Sequence, residues 1–210
     1  MVELVSYYGN DYNAVDVARV SYGKKSDMYT DEQNKKLIKY LVKHGHTSPF
    51  RHQSLQFRIK CPIYVERQLF KHQVGVSVNS ISGRYVDFSD TYSRVNQWRK
   101  QSTSSKQGSD GPIHHQEAAS SIEGMAIAAC RLAYEELINL GVSKEQARSV
   151  LPLSLNTEFI WTGSMLAFVH MCKLRLKSDA QEETRRVVQS MLNRVRETEA
   201  FNLTLNAFEL

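Results

Sequence analysis

The chain has 210 residues, of which 41% are hydrophobic and 23% charged, so it can bury a sizeable core. The net charge of +5 favours an anionic partner but does not distinguish nucleic acid from a nucleotide or a phosphorylated cofactor. Three cysteines without paired spacing predict buried thiols in a reducing compartment, which we expect to be the cytoplasm. The chain starts without a secretory signal pattern, and its most apolar long run, 159–172, is too short to cross a bilayer, so we expect no membrane partner.

The first part of the chain is predicted to form one strand and two helices. Val2–Tyr8 is rich in β-forming residues and is followed by a glycine-containing turn. Asn10 or Asp11 can cap the helix that comes next, because apolar residues recur there at helical spacing. A second amphipathic helix opens at Thr30 or the next residue and ends near Gly45, where glycine suits a left-handed cap.

The middle of the chain carries a clear strand and a loop of unusual composition. Apolar and polar residues alternate over 55–59, which is typical of a half-buried strand. Pro62 suits the first turn of a helix that runs to about Lys71. A polar loop follows, and Arg84–Phe88 is predicted to be another strand. The stretch 96–111 is serine-rich and without periodicity, so we expect an exposed, mobile connection.

The last part of the chain is predicted to be helical. A long apolar stripe runs from about Pro112 to Gly141. Ser143 with Gln146 forms a plausible capping box for a short helix. Further helices are expected over Thr162–Leu174 and from about Ser178 onward.

Together these elements predict an α+β protein, in which several long helices pack on a small, mainly antiparallel sheet. We expect one domain over 1–210, with the connection at 96–111 as its mobile part.

The loop between Tyr64 and Phe88 has the composition of an anion-binding site. It combines Ser82, Gly83 and Arg84, and these residue types offer a hydroxyl, a closely approaching backbone and a guanidinium. An ordinary surface turn would have the same composition, so both interpretations stay open. The chain contains neither GxGxxG nor GxxxxGK[ST], which excludes a Rossmann or P-loop phosphate site.

Other chemistries find less support in the residues. His44 and His46 have no cysteine or carboxylate partner at a recognised metal-ligand spacing, so we expect no metal. Cys130 lies on the apolar stripe of its helix and is expected in the core rather than in catalysis. Basic and aromatic residues interleave over 92–100, as in nucleic-acid-binding proteins, but a charged loop face explains them better. Arg175 projects from an apolar segment, where a salt-bridged arginine is the ordinary interpretation.

Several separated motifs in one order make the chain resemble the flavin-dependent thymidylate synthases. These motifs are NDYNAVDVARVSY, KHGHTSPFRH, ERQLFKHQ continuing into SVNSISGRY, GVSKEQARSVLPLSLNTEFIWT, and LRLKSDAQ. The resemblance extends from the start of the chain to about Glu183. It implies a homotetramer with active sites between subunits, which binds FAD, dUMP, methylenetetrahydrofolate and NADPH. It also implies reductive methylation of dUMP to dTMP without a cysteine nucleophile, and no nucleic-acid partner.

The resemblance also implies roles for particular residues. Arg175 matches the activating residue, whose guanidinium stabilises the ionised uracil ring. The positions that match dUMP-binding residues are Gln68, Lys71, Ser80, Ile81, Ser82, Gly83, Arg84, Arg148 and Arg175. The positions that match FAD-binding residues are Ser21, His46, Ser48, Lys71, His72, Gln73, Ser80, Ser164 and His170.

The chain departs from the family pattern in its central loop. The signature that begins Arg-His-Arg appears here as Lys71-His72-Gln73, followed by one extra residue before Ser82. Lysine keeps the charge without the guanidinium fork, and glutamine removes the charge. Ser80 replaces a glutamate that the family usually carries. Two alternatives therefore remain beside a synthase, namely a flavin- or nucleotide-binding homologue without synthase activity and a basic nucleic-acid-binding protein.

Overall fold

The structure, a computed structural model, describes residues 1–86, 91–104 and 106–210. The strands are β1 (Val2–Tyr8), β2 (Ser54–Pro62), β3 (Val76–Ser80), β4 (Arg99–Gln101), β5 (Ser109–Pro112) and β6 (Asn156–Ser164). The α-helices are α1 (Asp11–Arg19), α2 (Asp31–Lys43), α3 (Ile63–Leu69), α4 (Gln116–Asn139), α5 (Lys144–Ala147), α6 (Met165–Arg175), α7 (Glu182–Glu197) and α8 (Asn202–Ala207). Short 3₁₀ turns cover Val20–Tyr22, Ser26–Met28, Ser48–Arg51 and Arg148–Val150.

Among the described residues, four strands form an antiparallel sheet in the order β1-β2-β6-β3. The central strands β2 and β6 pair over their full lengths, with Phe57 opposite Trp161. Every second residue of β6 is buried, as expected for a sheet with one covered face. The α+β architecture predicted from the sequence is therefore confirmed.

Helix α6 covers the buried face of this sheet. Seven of its residues, from Met165 to Cys172, are buried, so the helix contacts protein on nearly all sides. Phe168 stacks on Phe57 with ring centroids 5.8 Å apart and also contacts Trp161. Each fully buried side chain of this size contributes about 1.5–3 kcal/mol. Because α6 is fixed so firmly, its last residue, Arg175, has a defined position.

The sequence did not reveal strand β6. The helix expected over Thr162–Leu174 begins at Met165, and Thr162–Ser164 belong to the strand. The apolar run continues from strand into helix without a break, so periodicity alone does not place the boundary. Ser164 ends the ambiguity in the structure, because its Oγ accepts the backbone N–H of Ala167 and caps the helix.

The strand predicted over Arg84–Phe88 was also misplaced. Residues 84–86 lie in a turn, in which the N–H groups of Tyr85 and Val86 both donate to the carbonyl of Ser82. The remaining two residues of that prediction lie outside the described residues. Besides β2, the strand that pairs with β6 is β3, which begins eight residues before the predicted strand. Polar residues fill the exposed face of this edge strand, which made it resemble a loop.

The predicted helix caps are confirmed for α1 and α2 but not for α5. Asn10 caps α1 and Thr30 caps α2, each in a reciprocal capping box, so both predicted starts are confirmed. Gly45 has a φ of 69°, which confirms the left-handed end of α2. The capping box predicted at Ser143 is wrong, because its side chain accepts no cap hydrogen bond.

The apolar stripe of α4 faces outward. Of the residues described in α4, Ile127 alone is buried, whereas Ile122 and Met125 are 63% and 62% exposed. Cys130 is only half-buried, so its expected place in the core was wrong, while Cys61 and Cys172 are buried. Helical periodicity identifies an apolar face correctly but does not say which molecule covers it.

Two further features were not foreseen. Within 96–111, strands β4 and β5 form a small antiparallel hairpin. The second feature joins the two ends of the chain. The buried carboxylate of Asp11 accepts hydrogen bonds from the backbone of Leu203 and from the backbone and hydroxyl of Thr204. This contact ties α1 to the first turn of α8. No helix in the described part of the chain has both the length and the hydropathy needed to cross a membrane.

Candidate active site

A polar cluster forms where α3, the C-terminal end of α6 and the first turn of α7 meet. The guanidinium of Arg175 donates from Nη2 to the backbone oxygen of Gln68 at 2.8 Å and from Nε to His72 Nε2 at 3.0 Å. Gln181 and Thr184 complete this group, which we call the Arg175 cluster. Gln68 and His72 lie more than one hundred residues before Arg175 and Thr184 in sequence, so only the tertiary fold brings the two halves together.

Both ends of the Gln68 amide have partners in this cluster. Thr184 Oγ1 donates to Gln68 Oε1 at 3.0 Å, and Gln68 Nε2 donates to Gln181 Oε1 at 2.5 Å. Thr184 is completely buried in the first turn of α7, whereas Gln181 is exposed at the start of that helix. The amide is therefore fixed from the protein side and open toward solvent.

The geometry fixes the protonation state of His72. Its Nε2 accepts a hydrogen bond from a guanidinium, which has no acceptor of its own, so that nitrogen carries no proton. Burial lowers the pKa of His72, and electrostatic interactions with Arg175 and His170 lower it further. A neutral imidazole therefore faces the guanidinium. Burial also lowers the pKa of Arg175, but an arginine stays charged at any physiological pH.

An ion-pair group holds the first turn of α7 in place. Arg99, on the hairpin, donates from Nη1 to Glu182 at 2.8 Å and from Nη2 to both oxygens of Glu183 at 2.8 and 3.0 Å. Burial raises the pKa of Glu183, but the hydrogen bonds that it accepts, chiefly from Arg99, outweigh this and leave that pKa below its usual range. These two glutamates lie between Gln181 and Thr184 in sequence, so the hairpin supports the cluster.

A second basic group lies beyond the end of β3. Arg84 Nε is 3.3 Å from Glu145 Oε2, and Arg148 Nε donates to the backbone oxygen of Glu145 at 3.2 Å. Ser82 Oγ accepts the N–H of Arg84 in the intervening turn. Both partners of the ion pair are about half exposed, so the pair adds little stability and an anion can replace the carboxylate. We call Arg84 and Arg148 the Glu145 pair.

Ser80 and the Arg175 cluster contact different faces of α3. Ser80 Oγ, just before the basic turn, donates to Glu66 Oε1 at 2.9 Å. Glu66 and Gln68 are two residues apart on the helix and therefore point about 200° apart around its axis. The buried residues Val65 and Leu69 lie between them and face the core. The end of β3 therefore meets α3 on a different face from the Arg175 cluster.

Three of the predicted FAD-binding residues line one cavity. Ser21, His46 and Ser48 lie around a concavity of about 530 Å³ between α1 and the turn at 48–51, which we call the α1 cavity. Arg51, which belongs to the KHGHTSPFRH motif but is not among the predicted FAD-binding residues, also lines it. Apolar side chains, including Val17, form the rest of the wall.

Most of the remaining predicted FAD residues lie on or beside α6, whereas Ser80 lies at the end of β3. His170 is exposed and close enough to His72 to affect its pKa, while Lys71 and Gln73 are exposed in the loop beside it. Ser164 uses its hydroxyl to cap α6, at the opposite end from Arg175. The helix has 11 residues, so its two ends are about 16 Å apart. No described hydrogen bond joins these residues to the α1 cavity.

Sequence inspection missed several members of these groups. Thr184 lies beyond the motifs, and Glu66 and Gln181 were noted only as the end residues of motifs. Their positions relative to Gln68 follow from helix packing, which local sequence patterns do not encode. Arg51 was the exception, because its place beside His46 and Ser48 in sequence could have identified it.

The two core cysteines are not nucleophiles. Burial, followed by the nearby carboxylate of Glu66, raises the pKa of Cys61 to about 12. Burial raises the pKa of Cys172 as well. Because the thiolate is the reactive form, neither residue can attack a substrate at neutral pH.

Comparison with known proteins gives a consistent result. A family profile described as "thymidylate synthase complementing protein" matches residues 3–199. The flavin-dependent thymidylate synthase of Thermus thermophilus is 40% identical over 196 residues, which cover 93% of this chain and 71% of that protein. The flavin-dependent thymidylate synthase of Kosmotoga olearia is 42% identical over 185 residues, which cover 87% of this chain and 79% of that protein.

A solved structure has the same fold. The UMP/dUMP methylase PolB from Streptomyces cacaoi, solved with 5-Br dUMP bound, superposes with a TM-score of 0.90 at 26% identity. The match covers 100% of this chain and 94% of that chain. The agreement therefore includes the segments that carry the Arg175 cluster and the Glu145 pair.

Proposed function

This chain belongs to the family of flavin-dependent thymidylate synthases, and from that premise we propose that it methylates dUMP to dTMP with FAD as its cofactor. The observation that carries the proposal is the fixed guanidinium of Arg175, held between the backbone of Gln68 and the neutral His72. A permanent positive charge at a defined place is what activation of a pyrimidine without a thiol requires.

Arg175 would act on the uracil ring by electrostatics. A guanidinium beside the imide stabilises the ionised ring and so increases the electron density at C5. C5 would then form a bond to the methylene carbon of methylenetetrahydrofolate and lose its proton, while the bonds from that carbon to the folate nitrogens break and tetrahydrofolate leaves. Addition of one hydride to the transferred methylene carbon would complete the methyl group of dTMP. FAD, when bound and reduced by NADPH, would supply that hydride.

The residues of the α1 cavity fit a flavin cofactor. Hydroxyls from Ser21 and Ser48, the imidazole of His46 and the guanidinium of Arg51 form a donor-rich edge. No carboxylate is among the described residues that line this cavity, so nothing there repels a diphosphate. We propose that these residues, together with Lys71, His72, Gln73 and His170, hold FAD.

The Glu145 pair fits the phosphate of dUMP. Arg84 and Arg148 meet at one glutamate, and a dianionic phosphate would replace that glutamate's carboxylate with stronger hydrogen bonds. Ser82 and the backbone of its turn add further donors. Gln68 and Arg175 would then hold the base at the other end of the nucleotide.

An active site between subunits is part of this proposal. No described hydrogen bond or ion pair joins the Arg175 cluster to the Glu145 pair within one chain. A second copy that supplies one of the two groups would complete the site. The exposed apolar face of α4, with Ile122, Met125 and Leu132, supports a homotetramer because such faces are normally covered.

The cosubstrates and the location complete the proposal. Methylenetetrahydrofolate is the proposed carbon donor and NADPH the reductant. Reduced, buried thiols at Cys61 and Cys172 support a cytoplasmic protein.

The deciding experiment is dTMP formation from dUMP by the purified, FAD-loaded protein with NADPH and methylenetetrahydrofolate. We expect product from the wild type and at least a hundredfold lower turnover from Arg175→Ala, with FAD still bound. Arg186→Ala, on the exposed face of α7, is the matched control and should keep full activity. A wild-type protein that oxidises NADPH without forming dTMP would identify a flavoprotein of another function.

A further inference from the structure

We propose that Thr184 is a positioning residue that makes the site select pyrimidines with a carbonyl at C4. This inference rests on the proposed function, because it takes Gln68 as a residue that contacts the base. The Thr184 hydroxyl would determine which end of the Gln68 amide faces the nucleotide. The substrate class follows from that orientation: uracil nucleotides are accepted and cytosine nucleotides are rejected.

The first step concerns the amide oxygen. Gln68 Oε1 accepts the hydroxyl hydrogen of Thr184, whose side chain is completely buried. A buried donor that loses its acceptor is left unsatisfied, which is unfavourable. Rotating the amide by 180° would place an NH₂ group against this hydroxyl and force the hydroxyl hydrogen to find another acceptor. The hydrogen bond therefore favours one orientation of Gln68.

The second step concerns the amide nitrogen. An amide NH₂ has two hydrogens, and Gln68 uses one of them on Gln181 Oε1. The second hydrogen remains for a ligand. The backbone oxygen of the same residue is held by Arg175, so neither the main chain nor the side chain can turn away freely. Gln68 is thus presented to the base as a hydrogen-bond donor.

The third step compares the bases. Uracil offers a carbonyl oxygen at C4, whereas cytosine offers an amino group there. Arg175 is also donor-only, so both protein groups at the base match acceptors and oppose an amino group. A site built from fixed donors rejects a mismatched analogue strongly, since the protein donors are left unpaired. We expect the wild type to bind dUMP at least about a hundredfold more tightly than dCMP.

Replacing Thr184 by valine tests this directly, because valine has nearly the same shape and no hydroxyl. The amide of Gln68 could then rotate and accept the cytosine amino group. We expect the ratio of dCMP to dUMP dissociation constants, measured by calorimetry on the FAD-loaded protein, to fall about tenfold. Thr184→Ser retains the hydroxyl and should restore the wild-type ratio. Thr184→Ala serves as a second hydroxyl-free variant if valine disturbs packing.

The outcomes separate this proposal from the proposed function. Wild-type protein that fails to bind dUMP or form dTMP refutes the function itself, whatever the variants do. If wild type is active, and the hydroxyl-free variants weaken both nucleotides equally with an unchanged ratio, then Thr184 is only structural and the proposal is wrong. A ratio that falls in Thr184→Val and recovers in Thr184→Ser supports it.

Discussion

Replacing Arg99 by glutamine would test how the hairpin stabilises the first turn of α7. The guanidinium makes three short hydrogen bonds to Glu182 and Glu183, and its side chain is only 17% exposed. Glutamine keeps much of the length but removes the charge. Both carboxylates would then lose their main partner while remaining three-quarters or more buried.

The expected loss in the free energy of unfolding lies between the values typical of exposed and of buried ion pairs. Exposed pairs contribute about 0.2–1 kcal/mol, while breaking a buried pair costs about 3–5 kcal/mol. Because the three side chains keep a small exposure and both glutamates are favourably placed at a helix N-terminus, we expect Arg99→Gln to lower the free energy of unfolding by about 2–3 kcal/mol. For a chain of this length, that corresponds to a fall in Tm of roughly 5–10 °C.

Arg186→Gln is the matched control, because Arg186 pairs with the same Glu182 but is 55% exposed. We expect it to lower the free energy of unfolding by less than about 0.5 kcal/mol. Thermal melts at one protein concentration would measure both variants. Equal destabilisation by the two variants would refute the argument that burial makes the Arg99 pair the important one.

The same variant makes a prediction about pH. The folded pKa of Glu183 lies below its ordinary value of 4.5, because the hydrogen bonds and charge of Arg99 outweigh burial. Its contribution to stability is therefore present above pH 4.5 and is lost as the pH falls through the folded pKa. Arg99→Gln should accordingly lose stability less steeply than the wild type over this acidic window, as measured by urea unfolding.

Three other perturbations have defined outcomes. Gly163→Ala places a Cβ 2.4 Å from the buried ring of Trp161 and should lower the free energy of unfolding by about 1–3 kcal/mol. The Cβ of the control variant Gly111→Ala would lie in open space, so this variant should leave the Tm unchanged. Asp11→Ala should lower stability by about 2–3 kcal/mol in chemical unfolding, because it leaves donors at the start of α8 without an acceptor. The pKa of His72 in the folded protein lies below its ordinary value of 6.5, so the neutral ring contributes stability above pH 6.5. This contribution is lost as the pH falls through the folded pKa. An NMR titration of the ring that gives a pKa above 6.5 would contradict this prediction.

Elements whose signals are local were predictable from the sequence. Strand β1 and the caps at Asn10 and Thr30 were placed correctly, because each depends on residues within one turn. Strand β6 was not, since its partners in β2 are about one hundred residues away and it continues directly into α6. Long-range pairing of this kind decides the conformation of a sequence that is equally compatible with helix.

The candidate site was predictable only in part. The resemblance identified Arg175 and Gln68, and the structure joins them. It also implied that Ser80 and Gln68 bind one nucleotide, which stays a prediction; in this chain Ser80 donates to Glu66, two residues before Gln68. Thr184 could not be found at all, because its importance comes from packing against Gln68 rather than from any motif.

The unequal burial of the three thiols gives the molecule a built-in attachment point for a probe. Cys61 and Cys172 are enclosed in the core and stay protonated at neutral pH, so a maleimide dye would spare them in the folded protein. Cys130 is half-buried on α4, the helix whose apolar face is exposed in a single chain. A dye there would report by energy transfer between mixed donor- and acceptor-labelled chains whether α4 meets another copy. No engineered cysteine would be needed.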